Sequence, residues 1–251
     1  MNAAKEQCRS MKSNKSKNEL GVFTIYSLFY IFIVAIFSVV IMHFPMPILG
    51  ASSFTEDVWY VVFIKIVFLF FIPLFIYRRL GHKISDIFKI ELNRKICIAV
   101  IGCMLLGSLL NSSYLAEINR VVANGDIMTW IQFTVGLLLP LVQAAIPEEI
   151  FYRYILQTRL EKAFGSIFGI FFTSLLFASF HFPSRYLLAS GGEGYAGDIY
   201  SILTGTILPA FVFGIILGYL WRRFRNVWIV IALHYGIDTL PSIASLLHID
   251  R

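Results

Sequence analysis

Seven runs of predominantly apolar residues, at approximately 21–43, 58–77, 96–111, 127–147, 165–182, 201–221 and 227–247, divide the sequence. Crossing a bilayer core as a helix takes about 20 such residues, because hydrocarbon offers nothing to hydrogen-bond an exposed backbone. The runs therefore restrict the chain to an all-α fold, a polytopic membrane helical bundle of about seven transmembrane helices. The third run is the shortest, and a tilted or partly buried helix is one expected form for it. Composition agrees: 58% of residues are apolar, 14% are charged and the mean hydropathy is +0.75, which excludes an ordinary soluble domain.

Lys and Arg gather in alternate connections. Lys5, Arg9, Lys12, Lys15 and Lys17 precede the first run, and Arg78, Arg79, Lys83, Lys89, Arg94 and Lys95 separate the second from the third. Arg159 and Lys162 follow the fourth, and Arg222, Arg223 and Arg225 precede the seventh. The intervening connections hold almost none: 44–57 has no basic residue, 112–126 has Arg120, 183–200 has Arg185 and the C-terminus has Arg251. The positive-inside rule then predicts a cytoplasmic N-terminus and an external C-terminus. A formal net charge of +6 distributed in this way is a topology signal, and no nucleic-acid partner is expected. Cys8, Cys97 and Cys103 offer neither a disulfide framework nor a zinc-type pair. The first apolar run is too long for a signal-peptide core and lacks a small-residue cleavage pattern, so it reads as a retained span. The expected organisation is a basic cytoplasmic tail (1–20), N-terminal transmembrane helices (21–125) and a helical core (126–251) carrying the candidate chemistry.

A charge in hydrocarbon is costly unless paired, hydrated or neutralised, so ionisable residues inside the runs are candidate functional groups. Glu148 and Glu149 follow Pro147, and a helix continuing to about Lys162 would turn near Gly165. Glu148 lies 16 residues before Phe164 and His181 lies 17 after it. At ~1.5 Å per residue both sit about 25 Å from the turn, and an antiparallel hairpin sets them side by side. The charged end of that hairpin, with Arg153, Arg159, Glu161 and Lys162, is expected to protrude or line a wet cavity. His234 enters from the last connection, about 13 Å inward of Arg225.

Residues four apart share a helix face, which pairs Glu149 with Arg153, Phe177 with His181 and His234 with Asp238. Glu148, about 100° round the helix from Glu149, is left free while Glu149 is held by Arg153. Taken singly, the glutamates read as an interfacial cap and each histidine as a structural hydrogen bond; four such residues in one membrane region favour a site. Elsewhere, Lys65 is expected to snorkel to the outer interface, and Gln143, Asn111 and Gln132 to bond between helices. The pairs Gly165/Gly169 and Gly214/Gly218 permit close helix approach. His43, His82 and His248 read as loop, interface or tail residues. Tyr152, Tyr154 and Tyr235 flank the motifs as packing or groove residues, and the glycine-rich link 183–200 reads as a gate or an ordinary loop.

Glu148-Glu149-x-x-x-Arg153, Phe177-x-x-x-His181 and His234-x-x-x-Asp238, in that order inside apolar runs, resemble the CPBP family of intramembrane proteases, the CAAX protease and bacteriocin-processing (Abi) family, whose last slot holds Asn or Asp. The likeness spans roughly residues 140–240. It implies a glutamate-dependent endopeptidase that uses neither cofactor nor metal. Glu148 would act as general base on a water held with His181, with His234 and residue 238 stabilising the oxyanion and Glu149, Arg153 and Phe177 in support. An ionised Asp238 cannot donate a hydrogen bond, so its expected role is to orient and charge His234. The implied partners are the lipid bilayer and a peptide precursor or a lipidated or membrane-associated protein substrate, at a cell membrane that reads as a bacterial plasma membrane. Three other readings compete. One is a zinc protease on Glu148, His181 and His234, though without an HExxH helix. Another is a non-catalytic partner, such as a bacteriocin immunity protein or a sensor-kinase scaffold. The third is a proton-coupled transporter, which no inverted repeat supports.

Overall fold

A computed structural model describes residues 2–89 and 93–249, with side chains from residue 18 onward. The side chains of the tail's basic residues and of Cys8 are not described, and Arg251 lies outside the described residues. Among the described residues, eight helices longer than a single turn follow in chain order: α1 (Asn2–His43), α2 (Tyr60–Arg79), α3 (Arg94–Leu110), α4 (Leu115–Ala123), α5 (Ile127–Phe164), α6 (Ser166–Leu188), α7 (Ile199–Phe224) and α8 (Val227–Leu246). Among the described residues the only β-pairing is an isolated bridge between Pro47 and Asp57.

Six of these helices are long and apolar enough to cross a membrane. A seventh span arises if α3 and the segment Ser112–Ala123, bent by 65° at Asn111, count as one. The short third run is thus a helix broken before its far end. Asn111 makes the expected interhelical bond there, donating Nδ2–H to the carbonyl of Ile237 at 2.9 Å. Gln132 reaches the carbonyl of Leu49 at 3.4 Å, whereas the Oε1 of buried Gln143 has no partner among the described residues.

Local sequence explains the irregular turns. Pro140 and Pro147 remove backbone donors inside α5 and crowd the preceding turn, and the helix widens to five-residue hydrogen-bonding over Leu141–Ala145 and again over Glu149–Gln157. Gly165, at φ 89°, turns the chain from α5 into α6 in a backbone region other residues avoid. Asp57 ties the preceding loop to the start of α2 by accepting from the N–H groups of Met46 (2.5 Å) and Trp59 (2.8 Å).

The connections that carry the basic clusters gather at one end of the bundle. There Glu19 of α1 meets His82 at 3.0 Å and Arg159 at 3.1 Å, and Arg225 pairs with Glu161. His82 is therefore part of an ionic latch between α1, α2 and α5 and not a free loop residue. Arg159, expected to be wet, is buried against the rings of Phe23 and Tyr77, because the Glu19 carboxylate compensates its charge. At the opposite end Ser52, Ser53 and Glu56 bond to Ser245 at the end of α8. The link after position 182 remains helical to Leu188, and Glu193 pins the rest by accepting from Arg185 at 2.9 Å.

Small residues set the helix spacing. A Cβ on Gly107 would come within 2.6 Å of the Leu233 carbonyl, and one on Gly236 would collide with the Met104 carbonyl, so α3 and α8 touch backbone to backbone. Gly169 faces Glu161 across the hairpin, and Gly214 and Gly218 face Ser174 and Ile170 of α6, as small residues at membrane-helix contacts do.

Two outcomes follow from this packing. Gly236→Val should destabilise the bundle by about 1–3 kcal/mol through overpacking against rigid backbone, read as a lowered unfolding temperature in detergent. Burial pushes the Glu56 carboxyl up to about 7 despite the hydroxyls of Thr55 and Ser245 that donate to it. The folded protein then keeps that proton longer than the unfolded chain. The Glu56 contribution should be complete at acid pH and lost as pH rises from the usual carboxylate range through about 7, and Glu56→Gln should flatten the stability profile across that window.

Candidate active site

Helix α5 carries the two carboxylates into the interior on adjacent positions, so they leave it in different directions. Both are buried, as are Lys65, Arg153 and His234. Glu148 faces α2, where the ammonium of Lys65 pairs with its Oε1. That ammonium also lies 5.3 Å from the ring centre of Tyr60 and 4.7 Å from that of Phe180. Lys65 is therefore not at an interface, as expected from its nearness to the start of α2. Reaching Glu148 removes the cost of its charge more completely than snorkelling would.

Glu149 faces α8. Its Oε2 accepts from Arg153 Nε at 3.0 Å, the expected pairing one turn away, and its Oε1 lies 2.8 Å from His234 Nδ1. Arg153 is fully enclosed, not on a protruding end, and its guanidinium sits 4.7 Å from the ring centre of Phe177. The second His234 nitrogen, Nε2, is 3.2 Å from Asp238 Oδ2 and 3.9 Å from Glu148 Oε2. A carboxylate accepts, so Nδ1–H donates to Glu149, and the i, i+4 pairing of His234 with Asp238 forms as the spacing predicted. Phe213 and Phe177 hold the imidazole edge-on, with centroids at 5.3 and 6.1 Å.

His181 arrives at the same depth from α6, but among the described residues no hydrogen bond or ion pair joins it to Glu148. Its Nδ1–H donates to the Phe177 carbonyl at 2.9 Å, which leaves Nε2 as the uncommitted nitrogen. Its ring stacks on Phe180 at 3.9 Å, the ring that also lies under Lys65. Phe177 and Phe180 thus connect the two histidines to the cations, with Tyr152 stacked on Phe180 at 5.6 Å and fully buried as packing. The Glu148 Oε2 atom is buried and has no hydrogen-bond partner among the described residues, and the Asp238 side chain, 37% exposed, forms the accessible edge.

Among the described residues no three His, Cys, Asp or Glu side chains group so as to hold a metal ion, and an ammonium already occupies the carboxylate a cation would need. Residues 130–240, which contain all of this site except Lys65, match the family model described as type II CAAX prenyl endopeptidase Rce1-like. The match supports assigning this segment to the CPBP/CAAX protease family. No curated protein and no solved structure matches the chain. The match supports CAAX-type intramembrane protease activity in general terms, and the several apolar helices fit a multi-pass membrane protein. Lys65 lies outside the family segment; its one advance signal was the cost of a lone charge inside an apolar run, and that cost does not name a partner 83 residues away.

Breaking the buried pair at Glu149 should be severe. Glu149→Gln leaves Arg153 uncompensated in an apolar interior and should cost about 3–5 kcal/mol, measured as the drop in thermal unfolding midpoint of the purified protein in lipid nanodiscs.

Proposed function

We propose that the protein is an intramembrane endopeptidase in which Glu148 activates water without a metal. The observation that carries this reading is the asymmetry of Glu148: one oxygen is committed to Lys65, and the other is uncommitted, buried and 3.9 Å from His234 Nε2. A single water can bridge that gap with hydrogen bonds of about 2.8 Å to each group. Glu148 Oε2 takes a proton from the water as its oxygen attacks the scissile carbonyl, and later returns the proton to the leaving amine. The His234 Nε2–H turns from Asp238 to the developing oxyanion, a charge that a donor in a low-dielectric site stabilises strongly. Asp238 holds and charges the ring as an acceptor. His181, through its uncommitted Nε2, accepts from the water and aims it.

The substrate class is a peptide precursor or a membrane-associated protein, and the family description as a prenyl endopeptidase supports a lipidated chain among these. Such a chain would approach along the bilayer to the Asp238 edge. The positive-inside pattern supports a cytoplasmic N-terminus, and a bacterial plasma membrane is the proposed location.

Cleavage of a quenched peptide library, and of candidate lipidated precursors, by purified protein in lipid tests the proposal. Glu148→Gln should lower kcat by about a thousandfold, in the range a positioned general base contributes, while excess chelator should leave the parent rate unchanged. Equal background from parent and variant would instead favour the non-catalytic membrane partner, and loss of activity with chelator would restore a metal mechanism.

A further inference from the structure

We infer that Lys65 is a positioning residue of the peptidase site, fixing Glu148 so that a single oxygen acts as the base. The inference rests on the reading of Glu148 as general base and adds a residue from outside the 130–240 family segment. Three observations carry it. Lys65 is buried at 3% exposure in α2, and its ammonium reaches Glu148 Oε1 and not the structural acid Glu149. The ammonium is held by the ring of Tyr60 on its own helix and that of Phe180 on α6, at 5.3 and 4.7 Å. Glu148 Oε2 is left without a hydrogen-bond partner among the described residues, 3.9 Å from His234 Nε2.

A purely structural cation would have no reason to leave half of a buried carboxylate unsatisfied, since an unpaired acceptor in such surroundings is costly. Glu149 shows the contrast: both of its oxygens are engaged, one by Arg153 and one by His234. Lys65 therefore does two things. It sets an opposite charge beside Glu148 in an apolar interior, and it removes the rotational freedom that would otherwise divide the base between two oxygens. Near-attack geometry is sensitive to such small displacements. Because Phe180 lies both under the ammonium and against His181, the same contact keeps the water-aiming histidine in register with the base.

The test compares parent, Lys65→Ala, Lys65→Arg and Glu148→Gln in the lipid-reconstituted cleavage assay, with unfolding temperatures measured on each. Lys65→Ala should lose about a hundredfold in kcat with KM within about twofold, the pattern of an interaction made in the transition state. Added propylammonium, which fits the space vacated by the side chain, should restore about tenfold of that loss. A folded Lys65→Ala protein that cleaves within about threefold of the parent, or that stays inactive at saturating amine, overturns the inference. If the alanine variant does not fold, Lys65→Arg decides: a kcat within about tenfold of the parent supports a positioning cation, and a folded but inactive arginine variant overturns it. Glu148→Gln separates the two levels of the argument. If it is inactive while Lys65→Ala cleaves normally, only the role of Lys65 falls; if it cleaves like the parent, the base assignment falls and takes the role of Lys65 with it.

Discussion

Two adjacent carboxylates on a helix inside an apolar bundle need opposite charge within reach, and most of the architecture serves that requirement. Glu148 draws α2 inward through Lys65, and Glu149 draws α8 inward through His234 while Arg153 closes the pair from its own helix. Each ion would be expensive alone in this medium, so the helices that carry the partners cannot drift apart without exposing a bare charge to apolar surroundings. The network thus joins the N-terminal helices to the family segment by a contact that no motif contains.

Around this centre the packing is aromatic. Phe177 and Phe180 lie between the histidines and the cations, and their quadrupolar faces accept Arg153 and Lys65 without adding a charge to be compensated. Glycines at the α3/α8, α5/α8 and α6/α7 crossings bring backbones close enough to bury the rings and to keep the ion pairs short. The two ends are tied differently, by the Glu19–His82–Arg159 latch at the basic end and by the serines and Glu56 around Ser245 at the other. The site is held by side chains whose own positions are fixed by neighbours, which is what pre-organised chemistry needs.

Much of this was legible before folding. Hydropathy located the spans to within a few residues, except that α5 runs on to Phe164, α6 runs on to Leu188 and the third span breaks at Asn111. The i, i+4 spacings anticipated Glu149 with Arg153 and His234 with Asp238, and hairpin arithmetic from the turn at Gly165 put Glu148 and His181 at a common depth. What spacing could not supply was contact between elements. It set Lys65 at an interface and left Arg153 and Arg159 on a wet end, and it did not anticipate that Phe180 would lie against both His181 and the Lys65 ammonium. It also gave no hint that Glu149 would serve Arg153 and His234 together.

The sequence by itself determined the apolar solvent, the chain order of the polar motifs and the within-helix pairs, because these depend on hydropathy and on the fixed period of a helix. Only the tertiary structure decided which oxygen of which glutamate is free. That choice depends on the rotation and depth of α2, α5, α6 and α8 relative to one another, quantities set by glycine contacts and ring packing among residues distant in the chain.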